Sequence, residues 1–122
     1  MCLTLRAAPD NSKPYNKSCI RWKTAEQSRH YHPDGSFTRT GFQSPYRNTK
    51  VNMRGWNKAH VIDDQTGFHV FITRDDARNE AKQWRNTVIL KIKVDGFLNS
   101  GIFVGAGGAL RSETWRRYRV IK

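Results

Sequence analysis

Gly67-Phe-His-Val-Phe-Ile72, Thr73-Arg-Asp-Asp-Ala-Arg-Asn-Glu-Ala-Lys-Gln-Trp84 and Val88-Ile-Leu-Lys-Ile-Lys-Val94 follow one another with only a short break. The outer two pieces are apolar, rich in β-branched and aromatic residues, and of strand length. In the middle piece Thr73 can cap a helix, and Asp75 and Asp76 in its first turn suit the positive end of the helix dipole. Ala77, Ala81 and Trp84 recur at spacings of four and three, which places them on one face of a helix spanning roughly Arg74–Trp84. The unit is strand, helix, strand. Its two strands either pair in parallel through a right-handed crossover or stand apart with another strand between them.

Downstream, Asp95-Gly96 turns the chain, and Phe97–Val104 is a further apolar segment broken by Asn99-Ser-Gly. Gly105-Ala-Gly-Gly-Ala interrupts any regular element. The tail, Ser112–Lys122, reads as a strand with Thr114, Arg116, Tyr118 and Val120 on one side and Trp115, Arg117, Arg119 and Ile121 on the other. Upstream, Cys2–Arg6 and Cys19–Thr24 read as strands, the second with Ile20 and Trp22 on one side and Arg21 and Lys23 on the other. Pro33-Asp34-Gly35 is a turn, because Pro presets φ and Gly tolerates φ > 0. Residues 38–66 show little periodicity and many turn formers, so they are expected to form a long polar loop region. The expectation is a single α+β domain over residues 1–122: a mixed sheet of about five strands with one main helix packed on one face.

Charge is the strongest compositional feature. The 22 Lys and Arg residues outweigh 10 Asp and Glu residues, giving +12, and residues 1–73 and 74–122 contribute equally. A body this basic attracts polyanions over about a Debye length, ~8–10 Å at physiological salt. Nucleic acid is the commonest such partner, and an acidic protein surface comes next. Cys2 and Cys19 make neither a disulfide framework nor a Cys-x-x-Cys knuckle. There is no apolar run of membrane-spanning length, and the opening residues lack the layout of a secretory signal. A cytoplasmic protein with reduced thiols, engaging no membrane, is expected.

The candidate contact residues are Arg39, Arg47, Lys50, Arg54, Trp56 and Lys58 of the polar region, and Arg116, Arg117 and Arg119 of the last strand. Arg pairs bidentately with phosphates, and Trp or Tyr offers a face to an unpaired base. Trp115 and Tyr118 are either part of that surface or part of the core. His30-x-His32, His60, His69 and the two cysteines match no usual zinc spacing, so no metal is expected. Gly105-Ala-Gly-Gly lacks the Gly-Lys-Ser/Thr of a P-loop and no helix follows it, so it reads as a turn, and no cofactor is expected. For metal-dependent nuclease chemistry the only carboxylate pairs are Asp63-Asp64 and Asp75-Asp76, and the helix N-terminus accounts for the second.

The start Met1-Cys-Leu-Thr, the piece Gln43-Ser-Pro-Tyr-Arg47 and the unit Gly67-Phe-His-Val-Phe-x-Thr-x-x-x-Ala resemble small uncharacterised proteins of tailed bacteriophages. The resemblance implies a phage protein acting in the cytoplasm of an infected bacterium, where small basic proteins often inhibit host defence complexes. It carries no functional residue with it. On the composition and this context, the expected function is binding: to nucleic acid, or to a host protein or ribonucleoprotein complex that handles it, as an inhibitor. The alternative is a nucleotide-binding protein or an enzyme. The central unit followed by a late Glu113 resembles ADP-ribosyltransferases, with Arg21 and Ser44-Pro-Tyr46 at the other usual positions.

Overall fold

The computed structural model describes residues 5–7, 13–43, 50–59, 67–105 and 108–121. They form β1 (Leu5–Ala7), β2 (Ile20–Tyr31), β3 (Phe37–Gln43), β4 (Trp56–Lys58), β5 (Phe68–Phe71), α1 (Arg74–Ala81), β6 (Thr87–Gly105) and β7 (Gly108–Val120). The α+β class holds, with the balance well towards strand. The sheet has seven strands where about five are expected. It is also not a mixed sheet, since every strand pairing among the described residues is antiparallel.

β2 lies between β5 and β6 and is antiparallel to both. The two strands of the central unit are therefore parallel but not neighbours, the second of the arrangements its sequence allows. β7 also pairs with both β6 and β5. Hydrogen bonding thus runs in a circuit from β2 to β6, β7, β5 and back to β2, and the sheet closes around its core. That core contains Ala25, Phe68, Val70, Leu90, Ile92, Val94, Trp115, Tyr118 and Val120, with Val51 against them. Each fully buried Val, Ile or Phe side chain contributes roughly 1.5–3 kcal/mol. A smaller cluster outside the circuit seats the helix: Ala77 packs with Phe71 and Leu110, beside Trp22 and Ile89.

Three sequence expectations need correction. The helix stops at Ala81, three residues short of Trp84. Its last turn tightens, with Gln83 N–H donating to the Glu80 carbonyl and Trp84 N–H to that of Ala81. The Trp84 indole then turns back to Glu80 Oε1 at 2.9 Å, so Trp84 stays exposed while Glu80 is buried. Asn86, at φ 57°, reverses the chain into β6. Second, Asp95-Gly96 does not end a strand. β6 runs for 19 residues, because its pairing with β7 continues through Gly96 and through an irregularity between Phe97 and Asn99. Third, the region 38–66 is not all loop. β3 completes a hairpin with β2, and β4 pairs with β7. The low periodicity there has a physical reason: the first four residues of β3 are exposed on both faces, and β4 is only three residues long, so neither strand shows an alternation to read. The expected turn at 33–35 is present: His32 N–H donates to the Ser36 carbonyl and Gly35 N–H to that of His32.

Candidate nucleic-acid interface

Residues directly opposite each other in an antiparallel ladder share a face, about 4.5–5.5 Å apart at Cβ. On the outer side of β4, β7 and β6 this rule builds a small lattice. One row is Trp56, Arg119 and Lys93, and the next is Lys58, Arg117 and Asp95. The rows are two residues apart along each strand, about 6.6–6.8 Å. The face reads outward because Ile92, Val94, Tyr118 and Val120, which alternate with these residues, fill the core.

Arg117 is held in place. Its Nε donates to Asp95 Oδ2 at 2.6 Å, and its guanidinium carbon lies 4.9 Å from the centre of the Trp56 ring. The Asp95–Arg117 ion pair is half exposed, so it adds at most about 1 kcal/mol to stability. Its effect is to fix where the guanidinium sits. Lys58, Lys93 and Arg119 are exposed. The lattice carries four cations and one carboxylate. It extends past Lys93 to Lys91, which pairs with Trp22, and the Arg74 guanidinium lies 5.9 Å from the Trp22 ring. Six cations and two tryptophans therefore line one continuous outer strip.

Of the residues expected to form a contact surface, Trp56, Lys58, Arg117 and Arg119 meet in this lattice. Arg116 does not join them; it lies over Gly96, where an added Cβ would come within 2.8 Å of its own Cβ. Arg39 is on β3, directly opposite Arg29 and away from the lattice. Lys50 and Arg54 are exposed on the approach to β4, and Arg47 lies outside the described residues. Trp115 and Tyr118 are 7 % and 1 % exposed, which makes them core residues unable to stack on a base. Lys91, Lys93 and Arg74 were missed. The alternation Lys91-Ile-Lys-Val94 carried the signal for two of them, since the apolar partners had to face inward.

Arg21 and Glu113, the pair singled out for an enzyme reading, are fully buried and bonded to each other. Glu113 also accepts from the Tyr15 backbone N–H at 2.8 Å and from the Trp115 indole at 3.2 Å. The Arg21 guanidinium donates to the carbonyls of Ser18, Ile20 and Asn16 at 2.6, 2.8 and 3.1 Å. The segment 15–20 thus closes over the pair, and neither charge faces solvent. Ser44–Tyr46, the third part of that reading, lies outside the described residues.

His30 and His32 sit together near the end of the β2–β3 hairpin, their ring centres 5.2 Å apart. Among the described residues no three His, Cys, Asp or Glu side chains cluster as metal ligands. The glycine run after β6 joins hairpin partners, Gly105 opposite Gly108. No helix among the described residues is long and apolar enough to cross a membrane. Comparison with protein-family models, with curated proteins and with solved structures returns no match for this chain.

Proposed function

We propose that the protein binds nucleic acid through the outer strip of β4, β7 and β6. The observation that carries this reading is the strand register, which sets Lys58, Lys93, Arg117 and Arg119 in adjacent rows beside Trp56. Guanidinium and ammonium groups at this spacing suit successive phosphates, and the half-buried Trp56 beside them suits sugar or base contact. No catalytic step is assigned, because the buried Arg21–Glu113 pair is consumed in structure. In an infected cell, the setting implied by the phage resemblance, such a protein would compete for strands that host complexes need to grip.

The test is a titration of purified protein against fluorescent oligonucleotides over a range of salt concentrations. Binding should be readily detected at low salt and should weaken steeply as salt rises, because phosphate neutralisation releases counterions. Absence of binding at low salt, or an affinity indifferent to salt, would overturn the reading and turn attention to an acidic protein partner.

A further inference from the structure

The β2–β3 hairpin carries a second group of unusual residues. Its pairing places Arg29 opposite Arg39 and Tyr31 opposite Phe37, and the two pairs are two residues apart on each strand. Directly opposed residues share a face, so two guanidiniums and two aromatic rings occupy one side of the hairpin's outer end. Like charges opposite each other destabilise a bare hairpin. Arg29 donates to the neutral side chain of Asn86, and its Nε is buried with no hydrogen-bond partner among the described residues. Among those residues no ion pair neutralises either arginine.

Both rings keep surface open to solvent. Tyr31 is 64 % exposed and Phe37 41 %, two of only four large hydrophobic side chains exposed to this degree among the described residues. They lean on each other with centres 5.9 Å apart, and the Arg29 guanidinium carbon sits 4.2 Å from the Phe37 ring centre. Among the described residues β3 pairs with no strand but β2, and its one further bridge, Gln43 to Lys50, is at the end away from Tyr31 and Phe37. The nearest carboxylate on the turn, Asp34, is already used: its Oδ1 accepts from the Ser36 N–H and hydroxyl.

We infer that this hairpin is a stacking arm for an unpaired base of single-stranded nucleic acid. Tyr31 and Phe37 supply the ring faces, the exposed Arg39 receives the flanking phosphate, and Arg29, seated on Phe37, adds positive charge beside it. The inference rests on the proposed function and sharpens it, because a duplex keeps its bases stacked and offers these rings nothing. An acidic peptide would satisfy the arginines but would leave two adjacent rings exposed.

The experiment compares the full chain with Tyr31→Leu and Phe37→Leu variants, singly and together. Leucine keeps apolar cover for the Arg29 stem without an aromatic face, and thermal melts confirm that the fold is retained. Each protein is titrated with a short single-stranded oligonucleotide and with an abasic strand of the same length. The variants should bind the base-bearing strand roughly 5- to 150-fold more weakly, the range for loss of one stacked base. The abasic strand should bind all proteins alike, and Tyr31→Phe should restore binding. If the parent protein binds but the leucine variants match it, the arm is disproved and the outer strip stands. Equal losses on both strands would also disprove stacking. If the parent protein binds neither strand, the proposed function itself fails and the arm fails with it.

Discussion

Arg21 and Glu113 lie 92 residues apart in sequence and meet as an ion pair with no solvent access on either side. Arg21 stands opposite Ile92 on β6, and Glu113 stands opposite Val70 on β5. The pair therefore ties β2 to β7, which both border β5 and β6, across the interior of the circuit. Removing one partner leaves an uncompensated buried charge, so Glu113→Leu or Arg21→Met alone should lose about 3–5 kcal/mol. Replacing both together should recover most of that loss, because the desolvation of two charges disappears with them. Urea denaturation of the two single variants and the double variant measures both effects. Equal instability of the double variant would mean that the pair does more than neutralise itself.

On the outer strip, Lys58→Ala, Lys93→Ala and Arg119→Ala should each weaken single-strand binding and flatten its salt dependence. The slope of log affinity against log salt should change by about 0.7 for each phosphate that no longer meets a cation. Arg116→Ala is the internal control: the side chain is exposed but lies over Gly96, off the lattice. It should change the slope least of the four. If Arg116→Ala weakened binding as much as the others, only net charge would matter and the register would not.

Burial pushes the Tyr118 phenol well above its ordinary range. Tyr15 moves the same way, again chiefly through burial, although the nearby Arg111 opposes the shift. The folded chain thus keeps protons that the unfolded chain gives up above about pH 10. Stability should be fully present below that pH and should fall as pH rises beyond it. Tyr118→Phe removes the ionisation and should flatten the alkaline decline relative to the parent protein. Urea midpoints measured between about pH 8 and 11 test this.

The parts of the fold that could be read locally were those with strong periodicity. The capped helix start is one: Thr73 accepts from the Asp76 N–H, and Asp75 and Asp76 occupy the first turn as expected. The strands around α1 and the strand character of the tail are others. What escaped was set by partners distant in sequence. Arg21 and Lys23 look like the wet side of β2, yet both are buried. Arg21 has Glu113, and the Lys23 ammonium lies 5.6 Å from the rings of Phe68 and Tyr118. A local pattern cannot announce a counter-charge 92 residues away. The same holds for the site: Trp56 and Arg119 become neighbours only through the pairing of β4 with β7. Their residue types were visible in the sequence, but their adjacency was not.

Gly96 is where β6 passes through a position that its sequence marks as a turn. Its φ is +74°, and a Cβ built there would lie 2.8 Å from Arg116 Cβ and 2.9 Å from Arg116 Cδ. Two separate penalties follow for Gly96→Ala. The left-handed backbone costs a non-glycine residue roughly 1–2 kcal/mol, and the clash must be relieved by moving β7 or the Arg116 stem. Arg116→Gly removes the clashing atoms without touching the φ penalty. The double variant should therefore be more stable than the sum of the two single effects predicts, with a coupling of about 0.5–3 kcal/mol. Chemical denaturation of the four proteins closes the cycle. If Gly96→Ala were as stable as the parent, β6 would not take this conformation. The passage of β6 beyond Asp95 along β7, from Phe97 to Gly105, would then be wrong.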